Sequence, residues 1–194
     1  MTTKTLLQIL ALAWAALFFL VPAHAETTAS TVCKVQDAIR FRSPPWTETQ
    51  CYRVANALNR AAAATDQKSE ILLSIAIVES DLRPEAHVQY GTFSDEGLMG
   101  VQCRAVVHGG RCTNWPVKGL LPAQVRRVET NVLAGAKILA AKPKLNDYNG
   151  GKGYAEKVYA VAGALAGVRT KSPVKRIRKL IWQILNGLGF ERTT

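Results

Sequence analysis

Acidic residues are scarce in this chain: fourteen Asp and Glu stand against twenty-five Lys and Arg, a formal net charge of +11. Such a balance draws polyanions, whether nucleic acid, an anionic membrane or an acidic wall polymer. The sequence has no internal repeat, no low-complexity tract and no alternating polar–apolar stretch long enough to read as a strand of useful length. Their absence excludes solenoid and all-β architectures and leaves a predominantly helical fold. Beyond residue 25 no apolar run is long enough to span a bilayer. Cysteine is limited to four residues and histidine to three, too few in any common pattern for a structural metal. His108 falls between Cys103 and Cys112, but C-x4-H-x3-C lacks a fourth ligand and matches no usual zinc spacing. No metal or other cofactor is expected.

The first 25 residues read as a secretory signal peptide. Lys4 supplies the positive end, Leu6 to Val21 the apolar centre, and Ala23-His24-Ala25 the small-x-small cleavage site. The apolar centre is long for a leader, so an uncleaved anchor is the alternative. Export, to the periplasm or beyond, makes nucleic acid the least suitable polyanion, and no nucleic-acid partner is expected. It also favours disulfides over free thiols. Four cysteines allow three pairings, of which Cys33–Cys51 with Cys103–Cys112 closes the shortest loops.

The rest of the chain, one domain by length, divides by pattern. Residues 26–50 contain Ser43-Pro44-Pro45 and little periodicity, and read as an extended N-terminal segment. Helical spacing runs over 51–64, and a helix buried all round over 69–81, with Thr65 and Asp66 as its cap. Residues 83–122 are rich in turn signals, with a short helix expected over 100–107. Further helices are expected over 123–141, with Gly135 at a close approach, and over 154–167. Residues 171–194 form a basic amphipathic helix opened by Ser172-Pro173, suited to an anionic membrane or wall polymer, or else docked with a solvated basic face.

The run Ile71 to Val78 is apolar at seven of its eight positions and is followed at once by Glu79. A carboxyl at the C-terminal end of a buried helix is disfavoured as an anion, both by its apolar surroundings and by the helix dipole. It therefore holds its proton toward neutral pH, as a general acid must. The competing reading is an ordinary glutamate just past the core.

Four segments resemble the soluble lytic transglycosylase (SLT) family. These are Ile75-Ala-Ile-Val-Glu-Ser80 with Leu82-Arg-Pro-Glu-Ala86; Gly97-Leu-Met99 with Val101; Asn131-Val-Leu-Ala-Gly-Ala136; and Asp147-Tyr-Asn-Gly-Gly151 with the helix from Tyr154. The resemblance covers roughly residues 52–168 and implies a mainly α, goose-lysozyme-like single domain over 51–170, its long loop region forming one wall of a glycan cleft. It implies cleavage of the β-1,4 bond between muramic acid and glucosamine in peptidoglycan strands, leaving 1,6-anhydro-muramic ends. Glu79 would act first as acid and then as base, with Ser80, Met99, Gln102, Tyr148, Asn149 and Tyr154 around the substrate. Gly100 stands where the family has glutamine, with Gln102 as the nearest substitute. The family's cleft serine has only Thr92 and Ser94 as counterparts. Tyr90, Phe93 and Trp115 are candidates for stacking on sugars.

Two other functions compete. A true lysozyme needs a second carboxylate to direct water, drawn from Asp81, Glu85, Asp95 or Glu96. A non-catalytic wall- or membrane-binding protein would need only the groove and the basic tail. The setting stays open among a secretion, pilus or conjugation apparatus, wall turnover, and attack on other cells.

Overall fold

The computed structural model describes residues 27–39, 44–105, 110–142, 144–151, 153–169 and 183. The proposed leader and most of the basic C-terminal segment lie outside these residues. Within them the chain is helix-rich, with one small antiparallel sheet. No helix among the described residues is long and apolar enough to cross a membrane.

Helix α1 covers Ala29–Ile39 and buries Val32, Val35 and Ala38 in the common core. Over 29–39 this corrects the expectation of an extended segment through 26–50. Val32 and Val35 already had helical spacing, but the prolines that follow drew the reading toward irregular chain. Helix α2, Glu48–Thr65, opens on a capping box in which Thr47 and Gln50 satisfy each other's backbone N–H groups. The Cys33–Cys51 disulfide joins α1 to α2. Asp66 is not the cap of the next helix: with φ 53° it takes the left-handed conformation that ends α2. Helix α3, Ser69–Ser80, starts after Lys68 without a side-chain cap, so burial of Leu72, Leu73, Ile75 and Ile77 holds it in place. Each such side chain contributes about 2 kcal/mol. Asp81 and Leu82 both adopt positive φ, and Leu82 N–H bonds back to the Ala76 carbonyl to close the helix. Burial of Leu82 offsets the cost of that geometry.

Three four-residue strands follow: β1 His87–Tyr90, β2 Phe93–Glu96 and β3 Val101–Arg104, paired antiparallel in the order β1-β2-β3. They replace part of the expected loop, and β3 stands where a helix over 100–107 was expected; residues 106 and 107 lie outside the described ones. All of β1 is exposed, so it carries no alternation to read, while β2 and β3 alternate over only four residues each. The second disulfide, Cys103–Cys112, ties β3 to the segment beside it. Helix α4, Pro122–Val125, and helix α5, Val128–Ala140, divide what the periodicity joined as one helix. The break comes at Arg127, whose backbone is extended, next to Arg126, whose guanidinium reaches back to β2. A single 3-10 turn, Leu145–Asp147, leads to helix α6, Tyr154–Arg169. Helix α2 packs on α1 and α5, and α3 packs on α6.

Cys33 and Cys51 are 18 residues apart, and their bond restricts the unfolded chain. Replacing both with serine lowers stability by about 3 kcal/mol, to be measured by urea denaturation of the oxidised proteins.

Candidate functional site

Glu79 occupies the last turn of α3, half-buried, where the apolar helix meets a cleft of about 270 Å³. Asp95 of β2, Val88 and Tyr90 of β1, and Asn149 and Tyr154 complete much of its lining. The Asn149 amide donates to Glu79 Oε1 at 3.2 Å. Tyr154, almost fully buried and stacked on Tyr148 at 6.1 Å, turns its hydroxyl toward the carboxyl. That hydroxyl is close enough to act on Glu79 but lies outside ordinary hydrogen-bond geometry, and among the described residues it has no other partner.

Burial pushes the Glu79 carboxyl above the ordinary carboxylate value; Tyr154 and Asn149 pull it back, and the Asp95 charge adds to the rise. Asp95 is also raised, by burial and then by the charge of Glu96. Burial, followed by the charge of Glu79, drives both Tyr148 and Tyr154 far above the ordinary phenol value, so each keeps its proton. The site thus combines a carboxyl disposed to hold a proton, a second carboxyl across the cleft, an amide and a phenol.

Beside Glu79 runs the four-residue turn Gly97–Gly100 between β2 and β3. Three polar side chains hold it. Ser80 Oγ donates to the Leu98 carbonyl at 2.9 Å and Tyr148 donates to the Met99 carbonyl at 2.8 Å. Asn131 Oδ1 accepts the Met99 N–H at 2.7 Å, and its Nδ2 donates to the Glu96 carbonyl at 2.6 Å. Gly135 is the close approach expected on α5: a Cβ there would lie 2.7 Å from Met99 Cβ. Gly100 has φ +55°, and a Cβ on it would meet Glu79 Oε2 at 2.7 Å. Glycine at this position keeps that oxygen clear.

Several sequence expectations change here. Ser80, Met99 and Tyr148, expected around the substrate, instead build the turn: Ser80 and Met99 are buried, and the Tyr148 hydroxyl is committed to backbone. Gln102 does not substitute for the missing glutamine beside Glu79. Its side chain accepts from Arg104 Nε at 2.8 Å and lines a separate groove. Thr92 lines that groove too, while Ser94 donates to the buried Glu96 carboxylate. Asn149, Tyr154 and Tyr90 do line the cleft with Glu79, whereas Phe93 belongs to the second groove and Trp115 to neither. Of the four carboxylates weighed as partners, Asp95 reaches the cleft; Asp81 and Glu85 do not line it. Glu96 is fully buried, held by Arg126 at 2.6 Å, His87 at 2.9 Å and Ser94. Sequence spacing does not single out His87, Arg126 or Arg104: His87 meets Glu96 across the β1–β2 pair, Arg126 reaches it from the end of α4, and Arg104 meets Gln102 two residues away on a strand too short to read. Cys103 and Cys112 are bonded to each other, so neither is a metal ligand.

No family model, curated protein or solved structure matches the chain.

Three outcomes follow. Asn131→Ala leaves the Met99 N–H and the Glu96 carbonyl without partners and costs on the order of 3 kcal/mol in urea denaturation. The Glu79 proton is held to higher pH in the folded chain than in the unfolded one, so its ionisation costs stability as pH rises through that interval. Glu79→Gln escapes this cost: it raises the melting temperature at neutral pH, and the advantage fades below the ordinary carboxylate range. In a carboxyl NMR titration Asp95→Asn lowers the Glu79 value and Asn149→Ala raises it.

Proposed function

We propose that the protein is an exported, soluble peptidoglycan lytic transglycosylase with a lysozyme-like domain. The observation that carries the reading is the Glu79 carboxyl, raised by burial and open on one side to a cleft. The four segments of the resemblance support it by converging on that carboxyl: they supply the helix end, the Gly97–Gly100 turn, its Asn131 clamp and the Asn149–Tyr154 wall. The two disulfides fit an oxidising compartment.

Protonated Glu79 delivers its proton to the glycosidic oxygen as the bond to the muramic anomeric carbon breaks. Asn149 occupies Oε1, and Oε2, kept clear by Gly100, carries the proton. Now a carboxylate, Glu79 takes the proton of the muramic 6-hydroxyl, whose oxygen closes on the anomeric carbon to form the 1,6-anhydro ring. Leaving-group proton and incoming proton pass through the same oxygen pair, so no water is consumed. The Tyr154 hydroxyl, turned toward Glu79 and with no other partner among the described residues, is available to the substrate or to the charged carboxylate.

Hydrolysis is the second reading, and Asp95 favours it. It lines the same cleft, and its charge acts on Glu79, as a carboxylate that directs water would. Digestion of bacterial sacculi followed by mass spectrometry separates the two. Transglycosylation yields anhydro-muramic ends and tolerates Asp95→Asn within about tenfold; hydrolysis yields reducing ends and loses about a thousandfold or more with that substitution. Glu79→Gln abolishes both while the protein stays folded and strand-binding. Full activity in Glu79→Gln would remove the assignment. The polymer is thus the proposed partner. A role beside a secretion, pilus or conjugation apparatus, and retention on an anionic surface by the basic C-terminal segment, go with this proposal.

A further inference from the structure

Strand register joins a second groove to the Glu79 cleft. Directly opposed residues of an antiparallel pair share a face, as do residues two apart on one strand. The pairs Val88↔Asp95, Tyr90↔Phe93, Asp95↔Gln102 and Phe93↔Arg104 therefore lie on one face of the sheet. Ser94, Glu96, Val101 and Cys103, on the other face, are buried. Val88, Tyr90 and Asp95 belong to the cleft, while Phe93, Gln102 and Arg104 line a groove of about 540 Å³. The stacked rings of Tyr90 and Phe93, 5.2 Å apart, form the ridge between them. Cleft and groove are successive parts of one open surface.

The two ends of this surface differ in charge. Glu79 and Asp95 stand at one end, and the exposed Arg104 at the other, roughly 7 Å beyond Asp95 along the strand direction. Arg104 Nε is held by Gln102 Oε1 at 2.8 Å, and among the described residues no acceptor engages its two terminal nitrogens. Its backbone is fixed as well: Asn114 accepts the Arg104 N–H at 2.8 Å and donates to the Gln102 carbonyl at 2.7 Å. Thr113 N–H bonds the Arg104 carbonyl, and the Cys103–Cys112 disulfide closes the same segment. A guanidinium held by one edge on a rigid floor presents its other edge as a planar fork, the geometry that pairs with a carboxylate through two parallel bonds.

We propose that this groove is an anion subsite, in which Arg104, oriented by Gln102, pairs with a carboxylate carried by the polymer held in the Glu79 cleft. The inference rests on the glycan reading of that cleft and narrows it to strands bearing carboxylates. On muramic acid the carboxylate is either that of the bare lactyl group or that of an acidic peptide attached to it. A chitin strand has neither.

The test is equilibrium binding of the full chain, in the Glu79→Gln background so that strands are not consumed. The three probes are peptide-bearing strands, amidase-stripped strands and a chito-oligosaccharide. Arg104→Ala is expected to weaken binding to a carboxylate-bearing strand about tenfold more than to the chito-oligosaccharide. Arg104→Lys restores part of the difference, because an ammonium lacks the fork. Selective loss on the peptide-bearing strand names the peptide as the source of the carboxylate, and loss on the stripped strand names the lactyl group. An equal loss on all three, or none on any, overturns the proposal; circular dichroism confirms that each variant is folded, and Arg104→Gln serves if the alanine variant is not. Should the wild type cleave no strand while the Arg104 dependence holds, the catalytic reading fails and the subsite stands. Cleavage without that dependence overturns the subsite alone.

Discussion

The structure depends on a tight turn that cannot hold itself. Gly97-Leu98-Met99-Gly100 has two glycines at positive φ, and the N–H of Met99 and the carbonyls of Leu98 and Met99 need partners outside the turn. Buried backbone groups without partners are costly. Ser80 from α3, Asn131 from α5 and Tyr148 ahead of α6 supply them, so three separate elements are fastened at one point. The apolar residues Leu98 and Met99 plug into the core between those contacts. What the turn delivers in exchange is Gly100, a residue without a side chain lying against the Glu79 carboxyl.

That arrangement explains how one glutamate is raised without becoming inert. Full burial would strand the charge, whereas open water would return the group to its ordinary behaviour. Glu79 sits between these limits, with apolar helix behind it, Asp95 adding repulsion, and Asn149 and Tyr154 offering polar contact to the charged form. Groups acting in opposite directions keep both protonation states within reach, which the proposed role of Glu79 as acid and then base requires. On the far side of the sheet Glu96 shows the contrasting solution: fully buried, it is engaged by Arg126, His87 and Ser94, and it anchors β2.

Helices were legible where apolar spacing was long. The expected boundaries for α3 and α6 differ from the observed ones by one or two residues, and Gly135 was read as a close approach before its neighbour, Met99, was known. Four-residue strands were not legible, because alternation over so few positions is indistinguishable from loop. Tyr90-Gly91 reads in the sequence as a loop signal; in the fold Gly91-Thr92, with Gly91 at φ +54°, is the two-residue turn of the β1–β2 hairpin. Residue roles were harder than residue positions. Ser80, Tyr148 and Gln102 all stood in recognisable places, yet a hydroxyl or amide satisfies whichever group it meets first, and only the folded chain shows which.

Composition and spacing alone determined a basic, helix-rich, cysteine-paired chain with a carboxyl at the end of a buried helix, because apolar periodicity and local loop closure are properties of neighbours in sequence. Tertiary structure alone decided which carboxylate faces Glu79, which polar side chains hold the turn, and that Arg104 shares a face with Asp95. Each of those depends on pairings between residues far apart in the chain, or on strand register, where a shift of one residue would turn every side chain to the opposite face.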